Sequence, residues 1–370
     1  MYDVKGNKIE IIHDVDWPDV YGGLHSFKST FITSGVEGLI KGWRAEGSKN
    51  IKIGSRMVDY LIEEDKFQEF IDALPNLKSV AVGVEDVEHI LDLAQFIKVE
   101  KVLKDKNISM YIMNENDPYK TMYRLEDISN AYKQLDDWAN EINSATVDGA
   151  PLSPLEKFIY AYMIAKDRVA KDCKFNACLC RNVVAVLNNN YCVCDGYASL
   201  LKELCSRIGI PCIVKSVFVR EPHSINCAII KDDKYDIDGL HYSNPTKDRK
   251  DLGNTLFSCL LPSVEDVFDL YFNDRDKCRE WGDEEKKLFP NEESLKQAQE
   301  STKKIDYQNM LDALFAVFKS KYQDKQDAAK ATNQYLNSSV NNVLTYPDRY
   351  KGNWVHDAAK ANGLIQEQKY

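Results

Sequence analysis

The residues best equipped for chemistry lie between Asn188 and Asn244. This stretch opens with Asn188-Asn189-Asn190-Tyr191-Cys192-Val193-Cys194-Asp195-Gly196-Tyr197-Ala198. Behind it Tyr197, Leu200, Leu201, Leu204 and Ile208 form an amphipathic stripe, closed by Gly209 and Pro211. Cys194 is therefore expected at or just before a helix N-terminus. Unpaired amides there carry partial positive charge, which favours thiolate and suits an oxyanion. Gly196 would let a substrate carbonyl approach the backbone closely.

Two strands and a hairpin are expected next. Residues 213–219 and 225–230 read as strands, and 234–238 as a third after an Asp232-Asp233 turn. His223 stands at the mouth of the second strand and Asp238 at the end of the third. Antiparallel pairing around that turn is expected to bring imidazole and carboxylate together. The outcome is a Cys–His–Asp set of nucleophile, base and orienting carboxylate. Asp236 is the rival orienting residue, since it shares a strand face with Asp238. His241 is the rival base, although it follows the carboxylate in sequence.

These residues resemble the transglutaminase-like superfamily. Val193-Cys194-Asp195-Gly196-Tyr197-Ala198, followed by Leu204 and Gly209-Ile210-Pro211, is similar to its Val-Cys-x-Gly-Tyr-Ala … Leu-Gly-Ile-Pro signature. His223-Ser224-Ile225-Asn226 resembles its His-Ala-Trp-Asn strand, and Tyr235-Asp236-Ile237-Asp238 its Trp-Tyr-x-Val-Asp segment. Separations of 29 residues from Cys194 to His223 and 15 from His223 to Asp238 suit its compact microbial forms. The resemblance spans roughly Ser153 to Asn244, about a quarter of the chain. Two positions depart from the pattern: Ile225 stands where the family usually has Trp, and Gly239 where it usually has Thr.

The resemblance implies a papain-like α+β core with Cys194 as nucleophile, His223 as base and Asp238 orienting the imidazole. Such enzymes attack a carboxamide or peptide carbonyl, form a thioester, and pass the acyl group to water or an amine. An upstream polar side chain often completes the oxyanion hole; Asn188, Asn189 and Asn190 are the candidates, with Asp195 and Gly196 as further substrate contacts. A peptidase, amidase or deamidase acting on a protein or peptide is the leading expectation. The alternatives are a non-catalytic protein-binding module on the same fold, and acyl transfer to an amine or from a thioester cofactor.

Other elements must position this site. Ser153, Pro154 and Glu156 announce a capped helix running through Phe158, Ile159, Tyr162 and Met163 towards Val169. Before it, Ile128, Tyr132, Leu135, Trp138 and Ile142 have helical spacing. Towards the N-terminus, 79–84, 86–104 and 108–113 read as strand, helix and strand, with Val87, Ile90, Leu91 and Ala94 on one helix face. That βαβ junction holds only Gly83 and lacks a glycine-rich phosphate fingerprint. Near the C-terminus Leu311, Leu314, Phe315, Phe318 and Tyr322 form a helical stripe suited to core packing. The expected organisation is an N-terminal α/β region (1–120), the transglutaminase-like domain (121–250) and a helical C-terminal extension (251–370).

Composition sets the remaining bounds. The 370 residues carry 48 Lys and Arg against 58 Asp and Glu, for a net charge of −10. Bulk attraction to nucleic acid or anionic lipid is therefore not expected. The N-terminus has no basic start and no apolar core of a secretory signal, and residues 158–165 fall far short of the ~20 that a spanning helix requires. A cytoplasmic location follows as the expectation, with most of the ten cysteines as reduced core thiols. Cys205, Cys212 and Cys227 belong to that group. No metal or cofactor is expected: Cys178-Leu179-Cys180 and Cys192-Val193-Cys194 are too tightly spaced for a typical zinc site. The Asp-rich stretches also lack calcium-loop spacing. His13, His25, His89 and His356 are scattered, and a Cys192–Cys194 disulfide would have awkward geometry.

Overall fold

The computed structural model describes the chain except residues 6, 19–20, 86, 88–92, 117–119, 172–180, 220, 249–258, 262–284, 304, 323, 346–355, 357–359 and 361–370. The protein mixes helices and strands and divides into two units, Met1–Tyr132 and Lys133–Tyr370. Cys178, Cys180 and His89 lie outside the described residues, as does part of the helix expected over 86–104.

The first unit is built on a five-stranded sheet in sequential order: β1 (Val15–Trp17), β2 (Asn50–Gly54), β3 (Ser79–Val84), β4 (Ser109–Asn114) and β5 (Met122–Tyr123). The first four strands are parallel and β5 is antiparallel. Crossovers between parallel strands need intervening helices. They are supplied by α1 (Tyr21–Gly42), α2 (Ser55–Glu63), α3 (Phe67–Asp72) and α4 (Leu93–Lys104). Trp17, Ile53, Val82 and Ile112 align across the sheet and are fully buried, with Trp17 set against Phe27 and Phe70. On the other face Ala81, Met113 and Met122 are covered by Met1, Ile9 and Ile11. Lys52 is held there between Asp16 and Glu115 at 2.9 and 2.6 Å. Gly83 is bare because a Cβ would collide with the Glu115 carboxylate.

α5 (Leu125–Ser144) follows, then a small hairpin of β6 (Thr146–Val147) and β7 (Ala150–Pro151). In the second unit α6 (Pro154–Asp167) starts as its sequence requires. Ser153 accepts from the Glu156 amide, and Glu156 accepts from the Ser153 amide at 2.7 Å. A short parallel pair, β8 (Ala170–Lys171) and β9 (Tyr191–Cys192), flanks α7 (Val183–Asn189). α8 (Cys194–Arg207) and α6 pack on a three-stranded antiparallel sheet of β10 (Cys212–Val219), β11 (Glu221–Asp232) and β12 (Ile237–Ser243). β11 lies in the middle.

The chain then forms α9 (Glu285–Leu288), α10 (Glu292–Ser301), α11 (Tyr307–Lys321) and α12 (Lys325–Thr345). α11 packs on α6 and α12, burying Met310, Ala313, Leu314, Val317 and Phe318. Of the expected stripe Leu314 and Phe318 are buried, Leu311 and Phe315 are half-buried, and Tyr322 is exposed; the helix belongs to the same unit as the sheet. Among the described residues no helix is long and apolar enough to cross a membrane.

Candidate active site

Cys194 is the first residue of α8, and the N-cap, Val193, provides no side-chain cap. The first-turn amides therefore remain free of a capping side chain. The thiol is half-buried. Backbone N–H groups of Ser224 and Asp195 donate to its sulfur. Burial raises the thiol pKa above its ordinary value. The neighbouring Asp195 carboxylate adds to that rise, while the two amides and the Arg181 guanidinium oppose it.

Among the contacts that join α8 to its surroundings, three are made by residues of the sequence signature. Tyr197 donates its hydroxyl to the Val169 carbonyl at 3.0 Å, just beyond α6. Asn226 on β11 donates to the Ala198 carbonyl at 2.8 Å. Ser224 donates to the Asp195 carboxylate. The helix start that carries Cys194 is thereby fixed to the strand that carries His223.

His223 is nearly buried, and its Nε2 lies 3.2 Å from Oδ1 of the fully buried Asn244. An amide oxygen only accepts, so Nε2 carries the hydrogen and Nδ1 is the basic nitrogen of the neutral ring. Ser224, the next residue, holds the Cys194 sulfur through its amide. β12 stops pairing at Asn226↔Ser243, so the first residues of β11 run past the end of that ladder. The thiol meets β11 in this stretch, which pairs with β10 but not with β12.

Asp238 is not brought to His223. The hairpin turn occupies residues 233–236 rather than Asp232-Asp233, and the third strand starts at Ile237 rather than Lys234. In the resulting register Asp238 pairs with Lys231, eight residues along β11 from His223. Its side chain is exposed and faces Lys231 at 3.9 Å. Asp236 sits in the turn, exposed and paired with Lys303 at 2.6 Å. Continuing the register past Ser243 would set His223 opposite Thr246, with Asn244 two residues short of that point. Asn244, and not Asp238, contacts the His223 ring.

The other candidates fall as follows. His241 is fully buried, and desolvation lowers its pKa to about 4; it has no route to a substrate. Asn188 donates its amide to the Val184 carbonyl at 2.8 Å within α7. Asn190 is exposed and ends α7 in the left-handed conformation. Gly196 is buried in the first turn of α8. Asp195 faces both Ser224 and Arg181, the latter at 3.4 Å, and lies 4.0 Å from the sulfur. Ile225 is core, and Gly239 (φ +139) leaves room for Thr302. Cys192 is buried, and both it and Cys194 are free thiols. Among the described residues no group of His, Cys, Asp and Glu could hold a metal ion.

Counting the ladder outward from the four-residue turn sets His223 opposite Thr246, two residues past Asn244, so strand spacing alone did not single out Asn244. No protein-family model and no curated protein matches this chain.

Proposed function

We propose that the second unit is a papain-like cysteine enzyme, with Cys194 as nucleophile, His223 as base and Asn244 orienting the imidazole. The observation that carries this reading is the 3.2 Å contact between His223 Nε2 and Asn244 Oδ1, beside the Ser224 amide that holds the Cys194 sulfur. It leaves His223 Nδ1 as the proton acceptor. With burial raising the thiol pKa, His223 takes its proton as sulfur attacks. The substrate is a carboxamide or peptide carbonyl. The Sγ–C bond forms, the developing oxyanion is met by amides at the start of α8, and His223 returns the proton to the leaving nitrogen. The thioester is then hydrolysed by water, which His223 activates in turn.

Alkylation by iodoacetamide, read peptide by peptide, tests this on the full chain. Cys194 should react near pH 7 at least about 10-fold faster than in His223→Ala, the low end of general-base assistance. Cys212, a second partly exposed thiol, serves as internal control. Equal Cys194 rates in the two proteins would remove His223 as its base.

A further inference from the structure

The start of α8 and the start of β11 are joined by a polar contact that the proposed chemistry does not itself use. The Asp195 carboxylate, next to Cys194, accepts from the hydroxyl of Ser224, next to His223. Ser224 is buried, and its amide donates to the Cys194 sulfur. Asp195 lies 4.0 Å from that sulfur through Oδ1, and its other oxygen faces Arg181 at 3.4 Å. One carboxylate therefore bridges the element carrying the thiol, the element carrying the imidazole, and a half-exposed guanidinium.

We infer that Asp195 is a positioning residue, which clamps the Cys194 helix to the His223 strand through Ser224. This deepens the reading of the site given above and rests on it. A hydroxyl–carboxylate bond is charge-assisted and directional, so it fixes where the Ser224 amide points. A negative charge 4 Å from a thiol also opposes its ionisation. The clamp therefore fixes geometry at the expense of thiol acidity. Arg181 offsets part of that effect from the solvent side. The charged groups bearing on the thiol are Asp195 from its own helix and Arg181 from the segment before α7.

The two effects separate by substitution. Asp195→Asn keeps an oxygen for Ser224 and removes the charge; Ser224→Ala removes the bond and keeps the charge. Two measurements on the full-length protein read them. The first is the iodoacetamide rate of Cys194 between pH 5 and 9. The second is hydrogen exchange in the peptide spanning Val193–Tyr197. Ser224→Ala should exchange about 10-fold faster there, matching the loss of one charge-assisted hydrogen bond. It should also lower the Cys194 rate about 10-fold without moving the pH midpoint. Asp195→Asn should keep the protection and move the midpoint to lower pH.

Unchanged exchange in Ser224→Ala would overturn the clamp, even where Cys194 reactivity still depends on His223. An unmoved midpoint in Asp195→Asn would overturn the electrostatic half. Faster exchange in Ser224→Ala, together with equal Cys194 rates in wild type and His223→Ala, would overturn the enzyme reading instead. In that case the contact fixes structure but positions no chemistry.

Discussion

His241 on β12 and Asn244, one residue past its end, have opposite prospects. Asn244 contacts the His223 ring, so Asn244→Ala should lower Cys194 alkylation near pH 7 about 10-fold, in proportion to one lost hydrogen bond. Asn244→Asp keeps the acceptor and adds a negative charge, which favours imidazolium. The pH at which His223 becomes an effective base should therefore rise, visible as an upward shift in the alkylation profile. His241 makes its contribution to stability instead. Its folded pKa, lowered by burial to about 4, lies below the ordinary histidine value of 6.5. Between those limits the unfolded chain binds the proton and the folded one does not, so stability falls as pH drops from about 6.5 to 4. The full loss is roughly 3 kcal/mol. Urea unfolding at pH 7 and pH 4.5 should show this contribution, and His241→Phe should flatten it.

At the level of elements, α6 is the strut on which the site is mounted. Glu156, almost fully buried, completes the Ser153 capping box and also accepts from Lys234 and Tyr235, both at 2.6 Å. The helix start and the β11–β12 turn are therefore tied through one carboxylate. Leu155 adds a second tie, donating its amide to Asp232 at 2.8 Å. Glu156→Ala would leave a buried tyrosine hydroxyl and a capping position unsatisfied, a loss of about 3 kcal/mol or more measurable by urea denaturation. Farther along α6, Tyr162 donates to the buried Asp248 at 2.9 Å, four residues beyond Asn244. The turn that presents Asn244 is thus anchored to the same helix. The pattern of apolar residues and caps marked α6 and α8 well. It did not set the β11–β12 register, because an apolar alternation is compatible with more than one turn length. A two-residue turn at 232–233 would have set Asp238 opposite Cys227; the four-residue turn sets it opposite Lys231, four residues farther from His223.

At the scale of the whole chain, each unit has its own core. The first depends on aromatic packing around Trp17 and Phe70, both fully buried. Phe70→Ala should destabilise that unit by about 3–5 kcal/mol. Hydrogen exchange should then rise in β2 and β3, while the alkylation rate of Cys194 stays as in the unaltered protein. A fall in that rate would mean the second unit requires the first to hold its site. The C-terminal helices have a different standing: α11 covers α6, and Asn309 donates to the Tyr235 carbonyl at 3.1 Å, so they belong to the frame around the site.

The sequence by itself determined the helix with Cys194 at its first turn, the capped helix α6, and a strand expected over 225–230 with His223 at its mouth, which the structure extends to Glu221–Asp232. Those features depend on local rules: capping residues, helical periodicity and strand alternation within a few residues. It also confined the candidate chemistry to the stretch between Asn188 and Asn244. Only the tertiary structure decided which side chain meets the imidazole and what holds the two halves of the site together. Both depend on strand register and on contacts between residues 21 and 29 positions apart, His223 with Asn244 and Asp195 with Ser224. Such pairings are fixed by the packing of whole elements, and single-chain spacing does not encode them.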